Sequence, residues 1–244
     1  MNYSISPIGY INSPFKEKFA VPRQAKLAAT VRATICLTEE ANNIDTVREL
    51  EQFSHLWLLF LFDQNLAKGW TPTVRPPRLG GNKKIGVFAS RATFRPNGIG
   101  MSAVELLAVR HENGQVLIDI GSCDLMNGTP IIDIKPYIPY SDAIADAIGG
   151  FAADEPNTLA VEFAEPAAQF LQKQKDAEYK QTVISEVLAQ DPRPAYKKGQ
   201  VDEKEYAVLL FEFNLRFVVT DSKVVVTAIE LSERCKSWWG ELSG

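Results

Sequence analysis

The apolar positions of the first 140 residues recur mostly with a period of two, which predicts strands. Val31, Ala33, Ile35 and Leu37 alternate with polar neighbours, while residues 56–62 form a continuous apolar run of the kind found in strands buried on both faces. Residues 85–89 and 116–120 are short and rich in β-branched side chains. Asn113-Gly114 separates two such runs and suits a type I′ hairpin turn. One helix is predicted over 46–52, capped by Asp45, with Val47, Leu50 and Phe53 on one face. Residues 149–157 are rich in Gly, Ala, Asp, Glu, Pro and Asn and read as a linker. Beyond it, Pro166 opens an amphipathic helix reaching Ala189. Leu209, Phe211, Phe213, Leu215, Phe217 and Val219 then alternate as one strand, which turns at Asp221-Ser222 and returns over 224–231. The expected fold is mainly β: a barrel or sandwich over residues 1–148, then a smaller α+β domain over 158–244.

Composition narrows this only a little. The 244 residues carry 26 Lys and Arg against 30 Asp and Glu, and 45% are apolar, as in a soluble globular protein. A net charge of −4 argues against coating nucleic acid or anionic membrane by bulk charge. The average hides an asymmetry, because residues 64–104 hold Lys68, Arg75, Arg78, Lys83, Lys84, Arg91 and Arg95 without one Asp or Glu. Three dispersed cysteines indicate neither a disulfide framework nor a zinc site. With no secretory leader and no apolar run near the ~20 residues that span a bilayer, a cytoplasmic protein without a membrane partner is expected.

Several chemistries lack their residues. His55 and His111 are isolated, so no metal is expected, and His55 reads as a packed, hydrogen-bonded histidine. Gly98-Ile99-Gly100 lacks the third glycine of a dinucleotide loop, and neither a phosphate loop nor a G-x-S-x-G elbow occurs. Trp57, Phe60 and Phe62 read as core. Two loops remain, Arg75-Pro76-Pro77-Arg78-Leu79-Gly80-Gly81 and Arg91-Ala92-Thr93-Phe94-Arg95-Pro96-Asn97-Gly98-Ile99-Gly100. They suit planar anions, because a guanidinium pairs with carboxylate or phosphate at two points and Pro and Gly fix the backbone. A solvated barrel rim is the simpler alternative. Asp124-Leu125-Met126-Asn127-Gly128-Thr129-Pro130 and Asp133-Ile134-Lys135-Pro136-Tyr137 read as a turn and strand holding polar groups at a rim.

Taken together, these segments resemble the TsaA-like tRNA methyltransferases. The likeness is carried by Pro7-Ile8-Gly9, Ser13-Pro14-Phe15, Pro22-Arg23-Gln24, Phe53-Ser54-His55-Leu56-Trp57, Arg75 to Gly81, Gly86-Val87-Phe88-Ala89, Phe94-Arg95-Pro96-Asn97, Gly128-Thr129-Pro130, and Asp133 to Tyr137 with Pro139-Tyr140-Ser141-Asp142. Asp191-Pro192-Arg193-Pro194-Ala195-Tyr196 extends it to the bacterial branch with a C-terminal extension. The resemblance implies an antiparallel barrel that binds S-adenosylmethionine, needs no metal, and forms a homodimer with the donor site near the subunit interface. The implied reaction is methylation of N6 of N6-threonylcarbamoyladenosine at position 37 of tRNA.

Carried over by motif, Pro22, Arg23, Gln24, Asp63, Gln64, Arg91, Met101, Asp124, Leu125, Asn127, Gly128 and Thr129 are expected at the donor. Arg75, Arg78, Lys83 and Lys84 are expected on tRNA phosphates, with Arg95, Asn97, Arg193 and Tyr196 facing the substrate. Asp124, Asp133 and Tyr137 are the candidate proton acceptors, and Tyr196 a further catalytic candidate by analogy with the D-P-P-Y loop of other adenine N6-methyltransferases. Gly98, Asn127 and Asp63 stand where the family often has Pro, Asp and His. The alternative function is a non-catalytic RNA-binding or regulatory module on the same barrel.

Overall fold

Period-two segments from the first half pair into a closed barrel. The computed structural model describes residues 3–193, 197, 202–220 and 222–233. In chain order its first strands are β1 (Gly9–Asn12), β2 (Arg32–Leu37), β3 (His55–Leu61), β4 (Thr73–Val74), β5 (Ile85–Gly86), β6 (Ile99–Glu112), β7 (Gln115–Gly121) and β8 (Pro130–Pro136). Six of them close in the order β1-β2-β7-β6-β3-β8, every pairing antiparallel, and β4 pairs only with β5. The barrel is filled by Ile11, Ile35, Leu56, Leu58, Val104, Ile118, Ile120 and Ile131. Closure removes the exposed edges that an open sheet would leave.

The apolar run at 56–62 is buried on one face only. Leu56, Leu58 and Phe60 point inward, whereas Trp57, Leu59 and Leu61 are half-buried on the outside, because a barrel strand has a single face toward the core. At the hairpin, Asn113 and Gly114 take φ of 51° and 79°, as a type I′ turn requires. The helix expected over 46–52 is instead two 3₁₀ turns, Ile44–Val47 and Leu50–Gln52. Glu49 between them is left-handed, with φ 64°, and the first cap is Asn43, whose side chain accepts the Asp45 N–H. Of residues 85–89 only the first two are strand; Val87–Ala89 is a 3₁₀ turn.

The chain divides into two compact units that interleave in sequence. One holds Met1–Asn12, Arg32–Cys123 and Gly128–Glu155; the other holds Ser13–Val31, Asp124–Asn127 and Pro156–Gly244. The first includes the single-turn helices α1 (Asp63–Leu66) and α2 (Pro139–Asp142). The second continues with β9 (Ala160–Phe163), α3 (Glu165–Gln172), α4 (Ala177–Ala189), β10 (Asp202–Leu210), β11 (Phe213–Val219) and β12 (Lys223–Leu231), its sheet ordered β10-β11-β12-β9 with β9 parallel to β12.

Two expectations are corrected in the second unit. The long helix from Pro166 is broken after Gln172 and restarts at Ala177, behind a left-handed Asp176 (φ 56°). The single strand through Phe211 is a hairpin, in which Leu210 pairs with Phe213 across a two-residue turn and Phe211 has φ 57°. The buried set changes phase there: Val208 and Leu210 before the turn, Phe213, Leu215, Phe217 and Val219 after it.

Candidate active site

The four cations Arg75, Arg78, Lys83 and Lys84 share one loop. Pairing of Thr73 with Gly86 and of Val74 with Ile85 closes its base, which sets Arg75 across from Lys84. A 3₁₀ turn at Pro77–Leu79 stiffens the far end, started by a proline and stopped by Gly80 in the left-handed region. All four side chains are exposed, and no acid lies within the loop, so its field is positive throughout.

The second basic loop is tied to α1. Phe62 N–H donates to the Gly98 carbonyl (2.7 Å) and Gly98 N–H to the Arg95 carbonyl (3.1 Å), which starts Asp63 and Gln64 directly beside Arg95-Pro96-Asn97-Gly98. Arg95 is half-buried and donates from Nη1 to the Ser90 carbonyl (3.1 Å), whereas Arg91, Asn97, Asp63 and Gln64 are exposed. Gly98 is held, not loose: its φ is 60°, and a Cβ would stand 2.4 Å from Leu66 Cδ2. At Gly100 a Cβ would stand 2.3 Å from the Phe60 ring, so the strand can pass the Phe60–Phe62 edge-to-face pair only as glycine. Asn65, Leu66, Trp70, Thr93, Arg95 and Asn97 line a groove of about 100 Å³ beside this loop. Trp70 had not been singled out in the sequence. Its one signal there is an aromatic within the acid-free stretch.

Outward positions of the barrel bring Met101 and Asp133 into one row, because both register against Leu59 on β3. Met101 is 51% exposed. Asp133 already has two partners: Oδ1 accepts the Ile134 N–H (2.9 Å) and Oδ2 faces Lys135 Nζ (2.8 Å). Tyr137 packs its ring on Trp57 at 5.4 Å. Trp57 donates its indole N–H to Asp142 Oδ2 (2.9 Å), which also accepts the Ile138 N–H (2.9 Å), and these bonds hold the Asp142 carboxyl below the usual aspartate range. His55 is exposed rather than packed, with Nδ1 2.9 Å from Ser54 Oγ. Gly128 (φ 80°) and the buried Thr129 enter β8 beside β1, where Ile11 N–H donates to the Thr129 carbonyl (3.2 Å).

The other donor candidates lie in the second unit and are fastened there. Ser13 Oγ donates to the Leu125 carbonyl (2.8 Å), Ser13 N–H to Asn127 Oδ1 (3.1 Å), and Asn127 N–H to the Phe15 carbonyl (2.9 Å). An amide oxygen accepts that bond as a carboxylate would, so Asn127 fills a structural place in the turn. Pro22 is buried, with Arg23 and Gln24 exposed before a 3₁₀ turn at Ala25–Ala28. Thr30 donates from Oγ1 to Glu186 Oε1 (2.7 Å) and from N to Oε2 (3.1 Å), and Gln190 Nε2 donates to the Leu27 carbonyl (3.0 Å), anchoring the segment to α4. Asp124 is half-buried and Leu125 buried in the adjoining turn.

Arg193, expected to face the substrate, is buried, and a doubly hydrogen-bonded pair with Asp191 (2.8 Å at each contact) turns its guanidinium inward. Tyr196, with Pro194, Ala195 and Lys198, lies outside the described residues. Among the described residues no group of three or more His, Cys, Asp or Glu is placed to hold a metal ion, and no helix is long and apolar enough to cross a membrane.

A family model described as the tRNA-methyltransferase O N-terminal domain matches residues 10–143, and a TrmO C-terminal domain model matches 156–232. The chain is 50% identical to an Escherichia coli protein named tRNA (adenine(37)-N6)-methyltransferase, over 94% of this chain and 98% of that one. It is 47% identical to a Pseudomonas aeruginosa protein named as a putative S-adenosylmethionine-dependent methyltransferase, over 89% and 93%. The crystal structure of TrmO from Pseudomonas aeruginosa superposes with a TM-score of 0.75 at 38% identity, covering 94% of this chain and 99% of that one.

Proposed function

We infer, from the premise that this chain belongs to the tRNA-methyltransferase O family, that it transfers a methyl group from S-adenosylmethionine to N6 of adenosine 37 in tRNA. The observation that carries this is likeness over nearly the whole of both chains to a relative named for that reaction. The non-catalytic alternative has no support among these relatives, whose names are those of methyltransferases.

The side chains fit the donor by their chemistry. Arg23 and Arg91 offer exposed guanidinium groups for a carboxylate, Gln24, Gln64 and Asp63 offer acceptors for an amine or a diol, and Met101 offers apolar surface. S-adenosylmethionine, when bound, supplies an electrophilic methyl group. What the protein must add is alignment and a place for a proton. The target nitrogen, read here as that of N6-threonylcarbamoyladenosine, has its lone pair delocalised into a carbonyl, so its proton must leave as the new bond forms. Arg95 and Asn97 orient the modified base, and Arg75, Arg78, Lys83 and Lys84 hold phosphates. Asp124 is assigned the proton, as the half-buried carboxylate of the turn that carries the family motif. On this assignment Asp124→Asn lowers kcat by about 10²- to 10⁴-fold while calorimetry shows donor affinity retained; unimpaired turnover removes Asp124 from the role.

The reaction itself is tested by mass spectrometry of tRNA nucleosides from cells with and without the protein. Loss of the N6-methylated threonylcarbamoyladenosine only in its absence supports the reading; identical profiles overturn it. The reading also includes a cytoplasmic location and a homodimer, the latter supported by exposed apolar side chains on the barrel unit, Met101, Tyr140, Ile144 and Ile148 among them.

A further inference from the structure

We propose that Trp70, which lies outside every motif that carries the family likeness, forms with the groove beside it a stacking site for one unpaired nucleobase of the tRNA; it rests on the reading of the substrate as tRNA. Trp70 is 53% exposed, an unusual cost for the largest apolar side chain unless something covers it. The indole sits between two anchored residues. Gly69 N–H donates to the Leu66 carbonyl (3.0 Å) at the end of α1, and Thr71 N–H donates to the Phe94 carbonyl (3.4 Å) of the second basic loop.

Charge selects the occupant. The whole stretch 64–104 has no acid, Lys68 stands exposed two residues from Trp70, and Arg95 lines the same groove. A polyanion is drawn to such a surface, and the flat face it can offer an indole is a base. The rest of the lining matches a base edge: Asn65 and Asn97 carry amides and Thr93 a hydroxyl, each able to donate and accept.

The test compares the full chain with Trp70→Ala and Trp70→Phe, using an anticodon stem–loop RNA at several salt concentrations. Stacking on an aromatic side chain predicts RNA affinity about tenfold weaker in Trp70→Ala and largely kept in Trp70→Phe. The dependence of affinity on salt keeps its slope, since no phosphate contact is lost, and S-adenosylmethionine titrates as in the parent, which also reports a folded protein. Equal RNA affinity in Trp70→Ala overturns the site. So does a lowered salt slope, or a loss that coincides with altered sedimentation, which would give Trp70 to a second copy of the chain. Methyl transfer by the parent is assayed separately. A parent that binds the RNA through Trp70 but methylates none overturns the proposed reaction alone, whereas an active parent with an unimpaired Trp70→Ala overturns the stacking site alone.

Discussion

Gly98 illustrates how one residue sets the geometry of a loop. With φ at 60° it occupies a region closed to proline, whose ring fixes φ near −65°, and the missing Cβ admits the Leu66 side chain. The proline common at this place in the family motif therefore demands another backbone path, and this chain has paired its glycine with a left-handed Asn97 (φ 63°). Asp142 is a second such residue. Its carboxylate joins α2 to β3 by accepting the Ile138 N–H and the Trp57 indole N–H, and both bonds favour the ionised form. A depressed folded pKa contributes stability that is fully present above the ordinary aspartate value and is lost as pH falls through the lowered one. Asp142→Asn is thus expected to lower the urea midpoint at neutral pH and to flatten its decline below about pH 4. Parallel acid limbs for variant and parent would refute the assignment.

At the scale of elements, strands were largely legible and breaks were not. Period-two patterning located β2, because burial of one face imposes it directly, while a continuous apolar run marked β3, β-branched content marked β7, and Asn113-Gly114 marked the type I′ hairpin. The same pattern ran unbroken through Phe211, since a two-residue turn interrupts pairing without interrupting alternation of apolar letters. The gap between α3 and α4 was hidden for a similar reason: Lys173, Gln174, Lys175 and Asp176 are compatible with helix, and only packing decides that the chain turns there. What α4 holds is the segment with three of the proposed donor residues. Glu186 fixes Thr30, and with it the segment carrying Pro22, Arg23 and Gln24. Glu186→Ala is expected to weaken S-adenosylmethionine binding about tenfold, as loss of hydrogen bonds to a charged group would, with Glu186→Gln restoring much of it. If calorimetry finds unchanged affinity in Glu186→Ala, the segment does not depend on this anchor.

For the whole molecule, charge is unevenly placed. All seven cations of residues 64–104 belong to the barrel unit, which gives a chain of net charge −4 one stretch that is positive throughout. The same unit exposes Tyr140, Ile144 and Ile148 at 92%, 68% and 96%. If they form the contact between two copies, replacing Ile144 and Ile148 with Glu yields a monomer by sedimentation velocity, whereas the parent sediments as a dimer. An unchanged dimer would place the contact elsewhere.

The amino-acid sequence by itself determined the strand-rich class, the family, the basic stretch and most candidate residues, because these depend on local patterning and on motifs contiguous in the chain. Only the tertiary structure decided where those residues go. It buried Arg193 against Asp191, gave Asn127 a backbone partner in Ser13, aligned Met101 with Asp133 across Leu59, and left Trp70 at the surface beside the second basic loop. It also assigned Ser13–Val31 and Asp124–Asn127 to the unit built mainly from the second half of the chain. The Ser13–Asn127 bond and the register of Met101 and Asp133 on Leu59 join residues distant in sequence, and the free energy of such a pairing exists only once the chain has brought the partners together.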